Sequence, residues 1–206
     1  LSEMSRYEKR KIQTKQKIVE AAYALFTEVG FEQATMEQIA EKADVAKGTL
    51  FNHFANKNAL LAHFGEKRVK LIKEAIEQRI SEADGAVNKL YAIFDAMADV
   101  HEEDRLYVSL FMHEFMYRYT FGERKNYNEA MAAIEEVIKN GIASGELRSD
   151  LNSVQTVSLL FAIYFHTTID WIRDGDTYSP KESFRAQLEI VLRGICASDY
   201  SNDSVL

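Results

Sequence analysis

Lys47, Gly48, Thr49, Asn52 and His53 crowd into the nine residues from Ala46 to Phe54, where Leu50 and Phe54 lie four apart. On a helix that spacing turns Leu50 and Phe54 inward and leaves Lys47, Thr49, Asn52 and His53 on a wet face. The chemistry on offer there is recognition. An ammonium suits a phosphate or a guanine edge, and a carboxamide and an imidazole supply donors and acceptors for base edges. Gly48 costs a helix about 1 kcal/mol against Ala; its bare backbone allows a close approach by a nucleic-acid strand. Lys57, in the first turn of the following helix, reads as a phosphate clamp. Reaction chemistry is not legible: the chain has no G-x-S-x-G, phosphate-binding loop, H-E-x-x-H or dinucleotide fingerprint. His101, His113 and His166 are dispersed, and the single Cys, Cys196, builds neither a disulfide nor a cysteine zinc site. The expectation is a non-enzyme without metal or cofactor.

Two short helices must present that wet face. Thr35 and Gln38 fit a capping box that opens the first, with Met36, Ile39, Ala40 and Ala43 turned inward. Asp44 stands where the chain turns sharply, and Val45 plugs the turn. A short helix, a turn and a second helix with a polar face form a helix-turn-helix, whose second helix enters the major groove of duplex DNA. Ahead of it, Ile18, Ala21, Ala22, Leu25, Phe26 and Val29 stripe one face of a helix, with Thr14 as its N-cap and Gly30 as its stop. Behind it, Asn56 caps a long fourth helix to about Ala83. Five more helices follow, the sixth overall (Arg105 to Phe121) rich in Phe, Met and Tyr. The fold class is all-α with about nine helices: a three-helix head with a basic N-terminal arm over 1–57, then a larger helical body over 58–206.

The 206 residues are 47% apolar and 28% charged, an ordinary globular balance. No apolar run is long enough to span a membrane, and no secretory signal is visible, so a cytoplasmic setting is expected. Charge is unevenly spread. The whole chain carries −7, yet residues 1–57 are +1 and residues 1–17 are +4. A basic leading segment on an acidic body suits a head that meets nucleic acid. Lys11 and Lys15 are expected to reach the minor groove.

The stretch from Thr14 to Leu61 resembles the DNA-binding domain of the TetR family of bacterial transcriptional repressors. The resemblance rests on A-x-x-L-F-x-x-x-G-F (Ala22, Leu25, Phe26, Gly30, Phe31), T-x-x-x-I-A (Thr35, Ile39, Ala40) and V-x-K-G-T-L-F-x-H-F-x-x-K (Val45 to Lys57). It implies a homodimer in which each head binds half of a palindromic operator in double-stranded DNA. Thr35, Lys47, Gly48, Thr49, Phe51, Asn52, His53 and Lys57 are the candidate DNA contacts. It also implies a small-molecule effector in the body and a dimer interface on the last two helices, for which Trp171, Leu188, Val191 and Ile195 are candidates. Four positions depart from the family pattern: Asp44 replaces a frequent turn Gly, Ala46 a capping Ser, Phe51 a common Tyr that bonds phosphate, and Asn58 a usual Glu.

A helix apolar on nearly all sides must bury every side or line a cavity. The sixth helix therefore suggests a pocket for an apolar or aromatic effector, with Phe94, Met97, Phe111, Phe115, Phe161 and Phe165 as candidate walls. The alternative is a DNA-binding regulator whose body holds a protein partner, or activates without an effector.

Overall fold

The computed structural model describes residues 5–121, 125–175 and 177–195, and among these it holds nine α-helices and no strand. Cys196 lies outside the described residues. The helices are α1 (Arg6–Val29), α2 (Met36–Lys42), α3 (Lys47–His53), α4 (Lys57–Glu82), α5 (Ala86–Glu102), α6 (Arg105–Phe121), α7 (Lys125–Ser144), α8 (Ser153–Asp174) and α9 (Pro180–Ile195). They divide into two compact units. The first holds residues up to 66 together with 110–114; the second holds 67–109 and the residues from 115 on.

The first unit is built from local rules. α1 begins at Arg6 rather than beside Thr14, because Ser5 and Glu8 form a capping box: Ser5 Oγ accepts from Glu8 N at 3.2 Å, and Ser5 N donates to Glu8 Oε2 at 2.8 Å. The basic arm is thus more helix, and Lys11 and Lys15 ride on it instead of on an extended strand. Ile18, Ala21, Ala22, Leu25 and Phe26 are its buried stripe. Gly30 (φ 81°) stops it, its N–H bonding Phe26 O. Thr35 and Gln38 cap α2 as the sequence indicates. Asp44 takes the left-handed turn at φ 53°, and Val45 N reaches back to Ala40 O at 3.0 Å. Asn56 Oδ1 accepts from Ala59 N at 2.9 Å at the head of α4. The sequence reading places the domain boundary after residue 57. The compact unit extends to 66 because Leu60, Leu61 and Phe64 are buried, with the Phe64 ring against Tyr23 and Phe26.

The second unit centres on α5, which is buried on most sides: Leu90, Ile93, Phe94, Ala96 and Ala98 have almost no exposure. α5 packs on α7 and α9, and α8 packs on the same two helices. The N-terminus of α5 is closed from a distance. The Glu146 carboxylate accepts from Ala86 N at 2.6 Å and Val87 N at 3.0 Å, placing negative charge at a helix start. Phe184 of α9 ties the layers together, 5.4 Å from Phe94 and stacked on Tyr164 at 6.1 Å. Arg185 grips Asp95 with two bonds of 2.9 and 2.6 Å, and Lys181 reaches Asp99 at 2.9 Å.

Candidate nucleic-acid interface

Short α3 stands on Leu50 and Phe54, which are 0% and 5% exposed. Those two anchors set its rotation. Lys47, Gly48, Phe51 and Asn52 are then exposed, and Thr49 and His53 are half-buried. The expected wet face therefore exists, and it includes the ring of Phe51. Ala46 provides no side-chain cap for α3, as its lack of a hydroxyl requires. A Cβ on Gly48 would meet nothing within 4 Å, so the protein's own packing does not demand glycine there. Lys47 Nζ lies 3.4 Å from Glu37 on α2, with both side chains exposed. That pair is weak and easily exchanged for a phosphate.

The electrostatics of α3 come partly from α1. His53 is held below its usual pKa, first by partial burial and then by the positive charges of Lys11 and Lys15. A neutral imidazole follows at pH 7, carrying one donor and one acceptor. Lys15 Nζ also sits 5.6 Å from the centre of the Phe54 ring. The basic residues of α1 thus lie beside α3.

Two candidates are engaged within the fold. Lys57 Nζ donates to the carbonyls of Phe31, Glu32 and Ala34 at 2.5, 3.0 and 3.1 Å, and lies 4.5 Å from the Phe31 ring centre. An ammonium has three donors, and all three are occupied by the loop between α1 and α2. Lys57 is thereby a brace for that loop and has no N–H left to clamp a phosphate in this arrangement. The Thr35 hydroxyl accepts from Gln38 N at 3.2 Å and donates to Gln38 Oε1 at 3.0 Å, so it too is used by its own cap.

The six candidate effector walls separate into three sets. Phe115, Phe161 and Phe165 are half-buried and brought together, with centroid distances of 5.7, 5.3 and 4.8 Å. Phe94 and Met97 are buried on α5, with Phe94 packed against Phe184. Phe111 is buried and belongs to the first unit. A separate open cleft of about 720 Å³ contains none of the six; Arg79, Tyr91, Asp95, Asp99, Glu103 and Arg185 are among its lining residues.

Of the candidate dimer residues, Trp171, Leu188 and Ile195 are at most 7% exposed and face their own core; Val191 is half-exposed. α9 carries two apolar stripes. Phe184, Leu188, Leu192 and Ile195 fill the core, and Ala186 and Ile190 look outward. Ile190 is strongly exposed, and α8 also exposes Val154, Leu159 and Ile169. The spacing of Ala186 and Ile190 was readable in the sequence. The burial of Arg68, and the bond from His101 to Tyr164, were not; the only hint was that His101 continues the stripe of Leu90, Phe94 and Met97.

An all-helical chain with a capped helix-turn-helix and an exposed polar recognition helix defines a DNA-binding transcriptional regulator. Residues 18–64 match the model for bacterial regulatory proteins of the tetR family, and residues 66–194 match that for the C-terminal domain of TetR/AcrR family transcriptional repressors. The chain belongs to the TetR family. Among its relatives, the fatty acid metabolism regulator protein of Bacillus subtilis is 24% identical over 186 residues, covering 86% of this chain and 93% of that one. The HTH-type transcriptional repressor KstR2 of Mycolicibacterium smegmatis is 23% identical, with coverage of 88% and 90%. The structure of Bacillus subtilis FadR in complex with stearoyl-CoA shares the fold at a TM-score of 0.73, with 24% identity and coverage of 87% and 98%. No helix among the described residues is long and apolar enough to cross a membrane.

Proposed function

We propose that the protein is a ligand-responsive repressor that binds a palindromic operator as a homodimer in the cytoplasm and performs no catalysis. The observation that carries this reading is the exposed face of α3, fixed by Leu50 and Phe54 and flanked by Lys11 and Lys15. Asn52, His53 and Thr49 read base edges; Lys47 meets phosphate; Phe51 packs on sugar or a thymine methyl; Gly48 lets the backbone close in. Thr35 and Lys57 hold the α1–α2 loop and the start of α2 so that α3 enters the groove at the right angle. The outward apolar residues of α8 and α9, with Ile190 foremost, pair two chains so that the heads meet successive major grooves about 34–36 Å apart.

The effector is a small molecule with an apolar body, held near Phe115, Phe161 and Phe165. Two structural relatives favour this chemistry, being solved with stearoyl-CoA and lauroyl-CoA. α4 and α6 each carry residues of both units, so a ligand that prefers one arrangement of these helices changes how well the heads fit DNA. Selection of binding sites from random DNA, followed by gel shifts, tests the reading. A palindromic consensus is expected, with affinity falling steeply as salt rises. Weak binding that ignores sequence overturns it.

A further inference from the structure

Four helices of the second unit converge on one buried polar point. Arg68 of α4 is 2% exposed. One of its Nη groups donates to the carbonyl of Val100 on α5, and its Nε has no hydrogen-bond partner among the described residues. The ring of Tyr107, on α6, lies 5.7 Å from the guanidinium carbon. His101, fully buried on α5, has Nε2 3.0 Å from the hydroxyl of Tyr164 on α8, and its Nδ1 has no partner among the described residues. The Trp171 ring stacks on the imidazole at 6.3 Å. Arg68 is close enough to His101 and Tyr164 for its charge to act on both.

A guanidinium taken out of water needs a counter-charge in contact. Without one, an apolar residue of similar volume is commonly as stable or more so. Glu103 and Asp104 act on Arg68 through space, but among the described residues no carboxylate forms an ion pair with it. Because Arg68 bonds the carbonyl of Val100, the residue before His101, a fixed positive charge, an unpartnered N–H and an unpartnered imidazole nitrogen lie on neighbouring groups, with Tyr107, Tyr164 and Trp171 beside them. A planar carboxylate matches this set: a guanidinium fork takes carboxylate oxygens in parallel, and an imidazole with its proton on Nδ1 donates to the same group. Tyr164 also lies 6.0 and 6.1 Å from Phe161 and Phe165, which puts an apolar wall next to the charge.

We propose that Arg68 and His101 form a carboxylate seat, so that the effector is a free organic acid with an apolar tail or ring system directed toward Phe115, Phe161 and Phe165. This rests on the ligand-responsive reading above and narrows it. A coenzyme A thioester has no charge at the acyl carbon and would leave Arg68 without a counter-ion.

The test uses the full chain, with calorimetry and thermal melts on decanoate and naphthoate, their primary amides, and lauroyl-CoA. At least one acid is expected to bind, with its amide at least about tenfold weaker. Arg68→Met is expected to abolish that preference and to raise the ligand-free Tm, because it removes a buried, unpaired charge. His101→Phe is expected to weaken acid binding while leaving amide binding in place. Equal binding of acids and amides, or no binding of any acid at millimolar concentration, overturns the proposal. So does a lower ligand-free Tm for Arg68→Met, which would make Arg68 structural. Operator release by lauroyl-CoA alone also overturns it while leaving the repressor reading intact; failure of the wild-type chain to bind selected DNA defeats that reading separately.

Discussion

Gly48 is the second residue of α3, and nothing among the described residues crowds the place where its side chain would be. Gly48→Ala should therefore raise stability by up to about 1 kcal/mol, the difference in helix propensity. If the glycine serves the DNA strand, the same change weakens operator binding. Thermal melts and gel shifts on one preparation separate the two effects, and unchanged affinity would reduce Gly48 to an accident of sequence. His101 makes a different forecast. Burial, followed by the charge of Arg68, lowers its pKa to about 3, against an ordinary value near 6.5. The folded chain keeps this imidazole neutral while the unfolded chain protonates it first. Its contribution is complete above pH 6.5 and is lost on acidification at about 1.4 kcal/mol per pH unit until the folded group titrates. Denaturant titrations from pH 7 to pH 5 should show this slope, and His101→Gln should flatten it. A single sequence does not reveal such a group. Arg68 reads as a solvated helix cation until α5, α6 and α8 close over it, and Lys57 reads as a free clamp until carbonyls more than twenty residues earlier fold beneath it.

Among the elements, the α2–α3 turn hangs on one unusual backbone angle. Asp44 sits at φ 53° without being glycine, a conformation that costs a branched side chain about 1–2 kcal/mol. Asp44→Gly should be neutral or mildly stabilising, and Asp44→Val should lose about that amount, both read from denaturant midpoints. Equal midpoints for the two variants would mean that the turn is not held in this shape. The turn, the Thr35–Gln38 cap and the Gly30 stop were legible because each is decided by residues within four positions of one another. The start of α1 was not. Ser5 and Thr14 are both competent caps, and the intervening Lys and Arg residues show no apolar stripe to favour either. The facing of α9 was half legible: its two stripes are visible, but which one fills the core depends on α5 and α8.

At the level of the molecule, Ile190 is 73% exposed and Leu188 is fully buried, although they lie two residues apart. Ile190→Glu should leave each chain folded, convert dimers to monomers in sedimentation, and reduce operator affinity by orders of magnitude through loss of the paired half-site. Leu188→Glu should instead unfold the chain, because it places a charge in the core. Dimers that survive Ile190→Glu would exclude this face as the main contact.

The first unit includes five residues of α6, positions 110–114, as well as the leading stretch of the chain. Glu114 in that segment is buried, and its carboxylate stands 2.8 Å from where a Cβ on Gly65 would be. Exchange of heads between related regulators at a single crossover would bring in a new partner for α6 without the α6 residues selected to fit it. A chimaera that keeps the first unit whole consequently exchanges two segments, residues up to 66 and residues 110–114, through three junctions.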